Sequence, residues 1–162
     1  MGTALLGAFL LGVGLPVMAY APGPIGWTLL LTGAALTMVF CALGMFIAVR
    51  QSDRAKAVGI GLATWVFMVL VYDSLLLWLM FSFSDRPIEP VIVPLAALNP
   101  IDLSRILIML KIDLAALLGY TGAVYQQFFG GLGGMLLSFA ALMLWILLPA
   151  MAATRAFARK DL

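Results

Sequence analysis

The sequence predicts an all-α, polytopic membrane protein: four transmembrane helices plus an outer-face, periplasmic helical segment, in one domain over residues 1–162. Three observations carry that expectation. The chain is 65% hydrophobic and only 10% charged, where a soluble domain is about half apolar and a quarter charged. Four stretches approach or exceed the ~20 apolar residues that a bilayer crossing needs. The basic residues cluster in short segments between and after those stretches, which orients them.

The first stretch is about 3–21, TALLGAFLLGVGLPVMAYA. Ala19-Tyr20-Ala21 resembles a small-x-small cleavage site, but no Lys or Arg precedes the apolar run and Pro22 follows at once. A secretory signal starts with a basic region, so a retained helix is expected. Pro16 should kink it, which membrane helices tolerate. Pro22-Gly23-Pro24 makes a turn. The second stretch is about 25–49 and the third about 57–83, joined by Arg50-Gln51-Ser52-Asp53-Arg54-Ala55-Lys56. The fourth is about 132–153, followed by a tail bearing Arg155, Arg159 and Lys160.

Loop 50–56 and tail 154–162 each hold three basic residues, while 84–131 balances Arg86, Arg105 and Lys111 against four acids. The positive-inside rule sends the two basic segments to the cytoplasm. Four crossings then put both termini there and 84–131 outside. Arg50, Arg54 and Lys56 are candidate cytoplasmic contacts, as a topology signal touching lipid headgroups or as a docking site for a partner.

Within 84–131, the proline-rich RPIEPVIVP (86–94) is expected to be extended. LNPIDLSR (98–105) spells a helix start, with Asn99 as N-cap and Pro100 as first helical residue. Asp102, the third, sits well at the positive end of the helix dipole. Asp102 and Arg105 form an i,i+3 pair. This helix is expected to run to about 118, lying in the interface or packing on membrane helices. The glycines and aromatics of 119–131 suit an interfacial belt or a short re-entrant turn.

Asp73 is the sharpest isolated candidate, because it stands inside the third span in VYDSLLL. An intramembrane carboxylate costs about 2.5–3.5 kcal/mol at the centre of a span, so it should face protein or water. It is either a structural hydrogen-bonding group or part of a pathway or coupling device. An intramembrane aspartyl protease needs two facing carboxylates, and the other spans carry no acid.

The chain has no histidine, which excludes His-ligated zinc and Ser-His catalysis. No GxxxxGK[ST] loop is present. No enzyme, cofactor or metal is expected in this chain, and a net charge of +2 without a basic stripe gives no case for nucleic acid. Cys41 lies alone in an apolar run and reads as packing. Small residues at four-residue spacing (Ala4/Ala8, Gly44/Ala48, Gly59/Ala63, Gly130/Gly134) read as helix-packing positions.

Residues 57–110 resemble the later half of ABC-2 type transporter permeases, and among them the nitrous-oxide reductase maturation permeases. The residues that carry the resemblance are Asp73 in its span and Leu98, Asn99, Pro100, Asp102 and Arg105 in an LNP-x-D-x-x-R motif. Such permeases have six spans, and the likeness begins at the third. The resemblance implies a non-catalytic permease subunit of the bacterial inner membrane. It implies a second permease copy, a separate cytoplasmic ATPase and a periplasmic partner protein, alongside membrane lipid. LNPIDLSR would then be a lid over the dimer interface and a docking surface for that periplasmic protein, or else a purely local cap. The competing readings are a stand-alone four-helix membrane transporter or assembly factor with no ATPase, and a structural membrane subunit.

Overall fold

The computed structural model describes residues 2–21, 23–83, 89–111 and 131–158. Every secondary-structure element among them is helical. Four helices have the length and apolarity to cross a membrane: Thr3–Tyr20, Pro24–Arg50, Arg54–Ser82 and Gly133–Ala158. The chain is therefore an all-α polytopic membrane protein.

The first span is α1 (Gly2–Phe9), a π turn (Leu10–Gly14) and α2 (Leu15–Tyr20). The expected kink at Pro16 takes the form of this wide turn. Pro16 has no N–H for the carbonyl of Gly12, and its ring crowds that carbonyl. A π turn opens the ladder at that point without ending the helix. Gly23 has φ 109°, a conformation open to glycine, and it turns the chain into α3 (Pro24–Arg50) with Pro24 at the first helical position. The first span packs on α3 where Gly33 lies against the Phe9 ring, and a Cβ at position 33 would collide with that ring.

Asp53 caps the next helix, its Oδ1 accepting from Ala55 N at 2.9 Å. That span is α4 (Arg54–Val66), a second π turn (Phe67–Val71) and α5 (Tyr72–Ser82). α6 (Glu89–Ala97) follows, where an extended segment was expected from RPIEPVIVP. Proline spacing misled there. Pro90 falls in the first turn, where no backbone N–H is needed, and a short helix in an apolar setting accommodates Pro94. α7 (Pro100–Lys111) begins where the cap motif placed it. The expected continuation to 118 and the aromatic stretch from 119 lie outside the described residues, apart from Gly131. α8 (Leu132–Ala158) is the last long helix, with Arg155 in its final turn; Arg159 and Lys160 lie outside the described residues.

α3 packs along α8, and α7 inserts against both. The core is Val39 of α3, Leu76 of α5, Ile92 and Ala96 of α6, Leu103, Ile106 and Leu107 of α7, and Leu142 of α8. The two short helices supply five of these eight side chains, so they are part of the bundle interior. Gly44 and Gly59 face open space. The small residues expected to bring helices together at those positions do not do so within this chain.

Candidate functional site: a polar cluster halfway along the third span

α6 and α7 form a hairpin whose tip is Leu98-Asn99. Asn99 is 1% exposed. Its Oδ1 accepts from Ile101 N at 3.1 Å, and its backbone carbonyl accepts from Leu103 N at 3.0 Å, which makes it the N-cap of α7. Pro100 needs no N–H at the first position. The Asn99 amide nitrogen donates twice, to Met68 O at 2.8 Å and to Asp102 Oδ2 at 2.9 Å. Asp102 thus reaches back to the cap through the Asn99 side chain.

Met68 is the middle residue of the 29-residue span Arg54–Ser82. At 1.5 Å per residue it lies about 21 Å from either end. The hairpin tip therefore touches the span at half its length. Met68 also belongs to the π turn, where carbonyls leave the regular ladder and are open to outside donors. From that point the two chains stay in step. Tyr72 OH, one turn on, donates to Leu95 O at 2.6 Å, one turn back in α6. The Leu95 carbonyl also accepts from Leu98 N at 3.0 Å, and the tyrosine takes its second lone pair. Asp73 Oδ2 accepts from Arg105 Nη1 at 3.0 Å, two turns up α7.

The pairing of Arg105 differs from the expected one. Its nearer carboxylate is Asp73, and the i,i+3 partner Asp102 is 3.7 Å away through Oδ1. Asp102 Oδ1 is buried and has no hydrogen-bond partner among the described residues. Burial, and then the negative charge of Asp73, push the Asp102 carboxyl above its usual range; Arg105 and the Asn99 amide oppose that. Asp73 and Arg105 stay partly open, their side chains 37% and 42% exposed.

The structure thus brings together Asp73, Asn99, Pro100, Asp102 and Arg105. It buries Asn99, Pro100 and Asp102. Of the motif that suggested a docking surface, Leu98 is exposed and Ile101 and Arg105 are half-buried, because capping turned the other polar groups inward. Tyr72 and the Met68 carbonyl were missed. Tyr72 had a signal, a phenol next to an intramembrane acid; Met68 had none, since a backbone carbonyl freed by a π turn leaves no mark in sequence. Arg50, Arg54 and Lys56 are exposed together at the α3–α4 end, with the Arg50 guanidinium 4.4 Å above the Phe46 ring. Among the described residues no group of His, Cys, Asp and Glu is placed to hold a metal ion.

No family model matches the chain. Two curated relatives do. A probable ABC transporter permease protein NosY from Pseudomonas aeruginosa is 37% identical over 82 residues, covering 50% of this chain and 30% of the relative. A protein of the same description from Stutzerimonas stutzeri is 30% identical over 124 residues, covering 65% and 42%. The chain spans less than half the length of the curated relatives it matches. The likeness to ABC permeases of the NosY type, first drawn from residues 57–110, is borne out by both.

Proposed function

We propose that this chain acts as the non-catalytic permease subunit, or the later part of one, of an ABC-2 type transporter in the nitrous-oxide reductase maturation system. The observation that carries the reading is the similarity to two proteins named as NosY permeases, in a chain with four spans. ATP hydrolysis would belong to a separate cytoplasmic subunit. The membrane is the bacterial inner membrane, with Arg50, Arg54 and Lys56 in the cytoplasm beside that subunit and the lipid headgroups. Both termini face the same side, and the open ends of α6 and α7 face the periplasm, where a partner protein would meet them.

The polar cluster supports a mechanical role. Hydrogen bonds and an ion pair tie the α6–α7 hairpin to the middle of the third span at Met68, Tyr72 and Asp73, so movement of the span at the cytoplasmic face is carried to the hairpin. Asp73 and Arg105 would be coupling residues, and Asn99, Pro100 and Asp102 the residues that hold the hairpin tip.

Capture tests the assignment. The tagged chain, expressed in its own membrane, should retain the cognate ATPase through detergent extraction. Triple replacement of Arg50, Arg54 and Lys56 by Gln should weaken that capture. A stable chain that moves substrate without any ATPase would overturn the assignment in favour of a stand-alone transporter.

A further inference from the structure

α3 and α4 leave a groove between them at the basic end of the molecule. Gln51, Ser52 and Asp53 join the two helices, which therefore start side by side. The positions that face each other are small: Gly44 and Ala48 on α3, Ala57 and Gly61 on α4. Phe40 and Trp65 continue the same two stripes, four residues deeper, and close the inner end. Small residues at this spacing commonly let helices pack tightly. Here they do not, because a Cβ added at Gly44 or Gly61 would meet nothing within 4 Å. They leave a cavity of about 640 Å³ instead, a size that suits a bound small molecule. A second cavity shares Phe40 and Trp65 and reaches on to Leu36.

We propose that this groove binds one phospholipid with an anionic headgroup, an acyl chain lying between α3 and α4 and the phosphate against Arg54 and Lys56. Depth and charge select that occupant. Along α3, Ala48 lies about 12 Å from Phe40 and about 18 Å from Leu36. One leaflet of bilayer hydrocarbon is about 15 Å deep, half of the apolar core. The groove therefore runs the length of one lipid tail, and its lining side chains are aliphatic or aromatic. At its mouth Arg50, Arg54 and Lys56 are exposed against the single acid Asp53, and Asp53 Oδ1 is already engaged by Ala55 N. Arg54 stands one turn before Ala57, on the groove face of α4. A neutral lipid or a free hydrocarbon chain leaves these cations unmatched, and a zwitterionic headgroup brings a cation of its own to the same place. The site needs only that the basic end lie at a headgroup layer, and it stands whether or not an ATPase docks there.

The test is native mass spectrometry of the full chain in detergent, titrated with phosphatidylglycerol or phosphatidylcholine. The wild-type chain should hold one phosphatidylglycerol, and hold it more tightly than phosphatidylcholine. Gly44→Leu and Gly61→Leu, made separately, fill the groove without a clash at the new Cβ, and each should abolish the tight binding. Gly59→Leu also enters open space on α4 but off the groove, and should bind as wild type does. Arg54→Gln should weaken phosphatidylglycerol binding about fivefold, the factor that one basic residue carries near an anionic surface, and leave phosphatidylcholine binding unchanged. Equal affinity for the two lipids overturns the selection by charge. Groove variants that keep the tight binding overturn the groove, by showing a headgroup held on the basic loop alone. Equal loss in Gly59→Leu, or a wild-type chain that holds no lipid, overturns the site altogether. ATPase capture separates this proposal from the permease assignment. A chain that binds the lipid and captures no ATPase keeps the site and loses the permease role; the reverse result does the opposite.

Discussion

Replacing Asn99 is the most informative perturbation of the hairpin, because its side chain does two separable jobs. Its oxygen caps α7 through Ile101 N, and its nitrogen joins Met68 O to Asp102 Oδ2. Loss of an N-cap costs about 1 kcal/mol. Hydrogen bonds between membrane helices average about 0.6 kcal/mol each, with values up to about 1.7. Asn99→Ala loses all three bonds, so it should destabilise the fold by roughly 2–4 kcal/mol on these figures. Asn99→Ser keeps a capping oxygen but has no amide to reach two acceptors at once, so its cost should be roughly 1–3 kcal/mol. The measurement is reversible unfolding of the purified chain in mixed micelles with increasing dodecyl sulfate. The order expected is wild type, then Ser, then Ala. A serine variant as stable as wild type would refute the claim that the bond to Met68 holds the hairpin at mid-span, and would reduce Asn99 to a local cap.

Tyr72→Phe removes one hydroxyl and its bond to Leu95 O; the same titration should show a loss of about 0.6–1.7 kcal/mol. A double-mutant cycle on Asp73→Asn and Arg105→Gln should give a coupling of about 1 kcal/mol for a pair as exposed as this, and a coupling near zero would remove Asp73 as the anchor of Arg105. Asp102→Asn tests the raised carboxyl. A folded-state value above the unfolded one means that the proton is held more tightly in the fold, so this group's stabilising contribution is complete below the usual carboxylate value of 3.8 and is lost as pH rises through the folded value. The difference between wild type and Asp102→Asn should therefore shift in favour of wild type on acidification; a difference independent of pH would mean that Asp102 keeps an ordinary carboxyl.

What could be read in advance was what is local. Hydropathy marks spans because a bilayer demands ~20 apolar residues in a row, and those stretches overlap all four long helices. The cap at Asn99-Pro100 was legible because capping involves neighbours two and three residues away. Arg105 was paired with Asp102 for the same reason, since spacing is what a sequence displays. Its nearer partner is 32 residues away, and only the hairpin brings Asp73 into reach. RPIEPVIVP failed in the other direction. Proline argues against helix when each residue must supply an N–H, but a nine-residue helix asks little of its first turn. The two π turns left no sign except Pro16 near the first.

Five polar side chains meet in the middle of an oily molecule, and their arrangement follows from one constraint. A helix break at membrane depth leaves backbone groups that hydrocarbon cannot satisfy, so it survives only when protein supplies the partners. The break between α6 and α7 uses Asn99 for this, Tyr72 adds a second bond to Leu95 O, and the π turn of the third span supplies Met68 O to the Asn99 amide. Satisfying the backbone then brings in charge. The Asn99 amide needs an acceptor beyond Met68 O, which is Asp102; a buried carboxylate needs a cation near it, which is Arg105; and Arg105, too far from Asp102 for a short bond, takes Asp73. Among the described residues the cluster holds two acids and one base. Its excess negative charge falls hardest on Asp102, the more deeply buried acid, whose Oδ1 has no hydrogen bond among the described residues. The half that stays open is the Asp73–Arg105 edge, a paired acid and base that hydrocarbon solvates poorly, so that edge faces polar groups or water rather than lipid chains.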